Sequence, residues 1–257
     1  MKKLLFVVFP LVTTATGAAP SNTVDGSATS QDQQQATAST VDFQQERTVS
    51  IFTSMIVTDG IQVHVRQGEH TSVRVATSSA TLSDKVKTVV EEGVLRVYFD
   101  ASQDPTWKGL VGSSEQFHVY ITVNALQVIH ASKGATVSFD SSFSNAEEVN
   151  VALASGAGLT GQLSFKALNI MLRGGSQATI RGSVEQLNVR VTEGSAFKSA
   201  QLQAQECVAY ASSASSIQVQ VTKSLEAKSV NEAVIRYSGN GKLKTSSTEQ
   251  GGEIVRM

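Results

Sequence analysis

Four histidines, one cysteine and a scatter of carboxylates are where chemistry would have to start in this chain. His64, His70, His118 and His130 show neither an H-x-H nor an H-E-x-x-H spacing, the arrangements that bring two imidazoles to one zinc ion. They predict no metal site, and the pattern implies no cofactor. His64 and His118 stand in alternating segments and are expected to face solvent. Cys207 occupies an apolar position beside Ala209 and Ala211. It reads as a small buried core residue, because no His or Asn stands where it could activate the thiol. A lone cysteine cannot form an intrachain disulfide either, so the fold must rest on packing and hydrogen bonds. The GAG at 156–158 precedes no helix, and a phosphate cradle needs a helix N-terminus.

Three side chains at one repeated spacing are better candidates for recognition than for catalysis. Arg190, Tyr210 and Lys228 would place two cations around an aromatic ring, a strip suited to an acidic glycan or peptide, or else an ordinary solvated face. Trp107 lies in DASQDPTWKGLVGSSEQ, residues 100–116, which interrupts the alternating pattern. On a loop it could stack on a sugar or fill a partner's pocket; it could equally cap the open end of a β core. Asn150, Asn169 and Asn188 recur every 19 residues (169 − 150 and 188 − 169) and could form an amide ladder, a structural role first.

The elements that must position these groups repeat. LNIMLRGGSQATI (168–180) is followed by LNVRVTEGSAFKS (187–199). With position zero at Gln127, Val149, Leu168, Leu187, Cys207 and Leu225, the period is near twenty. Positions zero, two and four hold Val149/Val151/Leu153, Leu168/Ile170/Leu172 and Leu187/Val189/Val191, which are inward-facing triplets. Position seven holds Gly134, Gly156, Gly175, Gly194, Ala214 and Glu232; position eight is always Ala or Ser. Each unit therefore reads strand, tight corner, strand, with glycine supplying the corner dihedrals and a small residue allowing close approach. So short a unit cannot bury its own apolar face, and stacked copies can. The expected fold is all-β: a right-handed parallel β-helix or β-solenoid with coils of about 20 residues over 126–240, preceded by a more irregular β region. Val184, Leu187 and Val189 match the opening of a leucine-rich repeat, but Thr192 stands where that repeat wants Asn or Cys and no helix pattern follows. A β-sandwich also suits regularly spaced strands.

A β-helix can carry carbohydrate-active enzymes, lyases or glycosidases, and the hydrolases need two carboxylates roughly 5 to 9.5 Å apart across one sugar bond. No acidic pair occupies matching outward positions of neighbouring coils. Asp140, Glu185 and Glu193 fall at different positions and read as solvated charges. No catalytic residue is predicted, and the reading is a non-enzyme, with the carbohydrate-active enzyme and the structural assembly subunit as alternatives.

The chain has 257 residues, 40% hydrophobic and 17% charged, enough for one large core. Lys and Arg total 21 against 22 acidic residues, so no global field draws nucleic acid. Lys2 and Lys3, the apolar run Leu4 to Val12, and the small Ala15, Gly17 and Ala18 form a secretory signal pattern, residues 1–17, with cleavage expected after Gly17. The apolar run is well short of the ~20 residues that span a bilayer. Residues 18–45, rich in Ser, Thr, Gln and Ala, read as a flexible linker, leaving 46–257 as the folded domain.

TDGIQVHVRQGEHTSVRVATS (58–78), VVEEGVLRVYF, LQVIHASKGATVSF and LASGAGLTGQL resemble the "putative autotransporter adhesin, head GIN domain" family of exported bacterial domains, over roughly Ile51 to Tyr237. Gln62 stands where the family's namesake tripeptide has Asn. The resemblance implies a β-helix-like domain at the cell envelope, periplasmic or on the outer surface, and carries no catalytic residues. The expected partners are a glycan or an envelope protein, with self-association open.

Overall fold

The computed structural model describes residues 43–102, 116–144 and 147–257. The expected signal segment 1–17, the expected linker as far as residue 42 and Trp107 lie outside the described residues. The expected linker boundary at 45/46 falls inside the first strand, β1 (Phe43–Arg47).

The domain is a β-solenoid of about seven turns. Its regular part runs through β8 (Val128–Ala131), β9 (Thr136–Phe139), β10 (Phe143–Ser144), β11 (Glu148–Leu153), β12 (Gly158–Leu172), β13 (Gln177–Val191), β14 (Ala196–Ser212), β15 (Ser216–Val230), β16 (Val234–Ser238), β17 (Lys242–Glu249) and β18 (Glu253–Arg256). Parallel pairing sets equivalent residues one above another. Val151 pairs with Ile170, Ile170 with Val189, Val189 with Ala209 and Ala209 with Ala227. On the second face Leu159, Ala178, Phe197, Ile217 and Ile235 form a matching column. These side chains are buried, so burial of one coil's apolar face is completed by the next coil. Strands β12 to β15 run on around the second bend into the following coil instead of breaking there.

The tight corners are stacked two-residue turns with both residues at positive φ: Lys133 and Gly134, Ser155 and Gly156, Gly174 and Gly175, Glu193 and Gly194. Three of these four close through the backbone, as where the Ala157 amide donates to the Ala154 carbonyl at 3.3 Å, and at Gly174 and Gly175 the Ser176 hydroxyl donates to the Arg173 carbonyl instead. Each also binds its neighbour along the axis. The amide of Gly134 donates to Ser155, that of Gly156 to Gly174, and that of Gly175 to Glu193, at 2.9, 2.9 and 3.0 Å. A Cβ on Gly175 would meet nothing within 4 Å, so glycine is there for its dihedrals and not for space. Ala214 and Glu232 adopt the same left-handed conformation at φ 54 and 61, without glycine's freedom. The small residues that follow, from Ala135 to Ala233, are buried as expected.

The region before 126 is the more irregular β part that its sequence suggests, and some of its strands nevertheless stack as coils. Strands β2 (Ser54–Val57) and β3 (Gln62–Gln67) form one further coil, and β6 (Val94–Phe99) and β7 (His118–Val123) another. They stack out of chain order: β6 on β2 on β8 along the first face, and β7 on β3 on β9 along the second. Met55 thus lies between Leu95 and Ile129. The Asp59-Gly60 corner repeats the left-handed pair, and the Gly60 amide donates to Lys133 at 2.9 Å. The DGI motif is therefore the solenoid corner itself, with Ile61 buried behind it and Gln62 half-buried on β3.

Antiparallel strands finish this end. β4 (Ser72–Thr77) adds to β7, β1 adds to β4, and β5 (Val86–Glu91) adds to β6. A single turn of helix, α1 (Ala80–Lys85), is capped by the Ser79 hydroxyl, which accepts from the Leu82 amide. Arg47 donates to the Ser83 carbonyl at 2.7 Å and so ties β1 to that helix.

Candidate functional site

Outward positions of the first face form columns for the same reason that inward ones do. His130, Ala152, Met171, Arg190, Tyr210 and Lys228 follow one another in register. Beside them run Asn150, Asn169, Asn188 and Val208. Between these columns lies an open groove of about 450 Å³. Its floor and walls are unlike an ordinary solvated sheet face, since Met171 and Val208 are 48% and 50% exposed among the amides.

The three strip residues are brought together, in two different associations. Arg190 lays its guanidinium over the Tyr210 ring, 4.2 Å from the centroid. Lys228 is next in register, but its ammonium donates to Glu249 at 2.8 Å. That contact raises the Lys228 pKa and lowers that of Glu249, through the hydrogen bond first and charge second. Arg190 and Tyr210 line the groove; Lys228 serves the last coil. The amide ladder forms in part: Asn169 donates to Asn150 at 3.0 Å and to Glu148 at 2.8 Å.

Cys207 is buried in the core, and burial pushes its thiol up to about 12, where almost no thiolate exists near neutrality. Among the described residues no cluster of His, Cys, Asp and Glu could hold a metal ion, and no helix is long and apolar enough to cross a membrane.

A family model described as "Putative auto-transporter adhesin, head GIN domain" matches residues 51–241. The chain belongs to this family. Solved structures share the fold of this head GIN domain. A putative adhesin from Bacteroides fragilis NCTC 9343 superposes with a TM-score of 0.75 at 16% identity, covering 84% of this chain and 96% of its own. A putative adhesin from Parabacteroides merdae ATCC 43184 gives 0.64 at 16% identity, covering 84% and 95%. A protein called "putative lipid binding protein" from Parabacteroides distasonis ATCC 8503 gives 0.63 at 16%, covering 84% and 96%. No curated protein matches the chain.

The head GIN domain also holds a polar cluster that its sequence conceals. His64 and His118 do not simply face solvent, and Asp140 is not a free surface charge. His64 Nε2 lies 3.1 Å from His118 Nδ1, and His64 Nδ1 lies 3.2 Å from Asp140 Oδ1. The His64 ring stacks on Tyr120 with centroids 4.8 Å apart. Arg66 reaches the same carboxylate at 3.6 Å. Burial, then the neighbouring His64, lowers the His118 pKa. Residues 64 and 118 meet because β7 stacks directly on β3, a pairing no local spacing announces.

Proposed function

We propose that this head GIN domain is an exported, non-enzymatic binding module of the cell envelope, adhesin-like in action, carried after removal of 1–17 on the linker 18–45, whose last residues, from Phe43, enter β1. The groove on the first face carries this reading: apolar Met171 and Val208 lie among the amides of Asn169 and Asn188, with the Arg190–Tyr210 pair at one end. Amides can bond vicinal hydroxyls or a peptide backbone while apolar patches cover the less polar face of the same ligand. Family membership supports the adhesive role, and a groove without an acidic pair supports recognition over hydrolysis.

The test is an array of glycans and envelope proteins probed with the full chain and with Tyr210→Ala, Arg190→Ala and Trp107→Ala. Binding that survives both groove substitutions would remove the groove from the reading. Release of reducing sugar from a bound glycan would replace it with an enzyme. N-terminal sequencing of the envelope-located protein should begin at Ala18.

Exposure of Met171 and Val208 favours one second reading, an acyl chain or other lipid in the groove, in line with the name of the Parabacteroides distasonis protein. Lipid spots on the same array separate the two.

A further inference from the structure

The antiparallel strands at the N-terminal end carry the second face beyond the solenoid, and a pocket of about 270 Å³ opens over that extension. One cross-strand row runs Glu46 on β1, Arg74 on β4, Tyr120 on β7 and His64 on β3. The next row places Ser72, Thr122 and Arg66 side by side on β4, β7 and β3. Two guanidiniums, two hydroxyls, an imidazole and a phenol ring therefore line one cavity, assembled from strands far apart in the chain.

The donors here exceed the acceptors that occupy them. Arg74 stacks on Tyr120 at 4.8 Å, and among the described residues no carboxylate lies within ion-pair distance of it. Stacking holds a guanidinium flat and leaves its edge N–H groups free to bond. Arg66 keeps only the loose 3.6 Å contact with Asp140, and its side chain is 68% exposed. Asp140 is in turn engaged by His64, so its charge is shared between two partners. The opposing charge in the pocket is Glu46, which faces Arg74 in register from the edge strand.

We infer that this pocket binds a small oxyanion, the carboxylate or phosphate group of an envelope ligand, between Arg66 and Arg74, with the Ser72 and Thr122 hydroxyls completing the donors. Charge-assisted bonds from guanidinium to such a group are about twice as strong as neutral ones, and the fork of N–H groups matches its paired oxygens. The site lies on the second face and is independent of the groove; either can fail without the other.

Isothermal titration of the full chain with inorganic phosphate and with D-glucuronate, at constant ionic strength and with glucose as the uncharged control, tests it. At least one anion should bind saturably and glucose should not. Arg66→Gln and Arg74→Gln should each weaken binding about tenfold, which corresponds to ~1.4 kcal/mol. Glu46→Gln should strengthen it, because it removes the competing carboxylate. Phosphate alone would identify a tetrahedral dianion as the ligand group, and glucuronate alone a planar carboxylate. The proposal is overturned if neither anion binds above glucose, or if Arg66→Gln, an exposed change that should leave the urea midpoint intact, leaves affinity unaltered.

Discussion

Arg190 and Tyr210 sit one coil apart on neighbouring strands, with the guanidinium 4.2 Å from the centre of the ring. At an exposed site such a contact contributes about 0.5–1 kcal/mol. A double-mutant cycle of Arg190→Met and Tyr210→Leu, followed by urea unfolding, should return a coupling of that size. Coupling indistinguishable from zero would mean that the stacking is incidental to stability.

Two glycines of one coil should differ sharply when replaced by alanine. Gly175 needs only its positive φ of 75°, and its Cβ would meet open space, so Gly175→Ala should cost about 1–2 kcal/mol. Gly182, at the second bend, would place its Cβ 2.0 Å from the Leu163 carbonyl oxygen, a backbone atom of the coil beneath. Gly182→Ala should cost more than ~3 kcal/mol, since one coil must move off the other. Equal urea midpoints for the two variants would contradict this account of the corners.

Acid should weaken the N-terminal layers. His118 has a depressed pKa in the folded state, from burial first and His64 second, so the unfolded chain takes up the proton more readily. Its contribution is present above the ordinary imidazole value of ~6.5 and is lost as pH falls below it towards the folded value. One proton fits between the facing His64 and His118 nitrogens, and a second sets two N–H groups against each other. The thermal midpoint should fall between pH 7 and 5.5, and His118→Gln should flatten that slope. An unchanged slope would place the acid sensitivity elsewhere.

Cys207 should be silent until the solenoid opens. With the thiol pushed up to about 12 by burial, a disulfide reagent should label native protein only at the rate of unfolding, and denatured protein at once. Rapid labelling under native conditions would show that its coil opens locally.

The coils after 126 were legible because inward triplets such as Val149/Val151/Leu153 recur at one period and parallel stacking keeps equivalent positions together. The same arithmetic brought Arg190 to Tyr210 and Asn150 to Asn169. It could not say that the Lys228 ammonium would turn to Glu249, because that residue belongs to a final coil beyond the last recognised repeat. Nor did it reach the His64, His118 and Asp140 cluster, whose strands stack out of chain order.

By itself the sequence determined which side chains point inward and that successive units pile in register. Both follow from alternation and a repeated corner, local properties that parallel pairing copies from coil to coil. Only the tertiary structure decided the order of the N-terminal strands, and with it the pocket between Arg66 and Arg74. A strand edge will accept any segment with compatible alternation, so which distant segment takes it is settled by burial of the whole core.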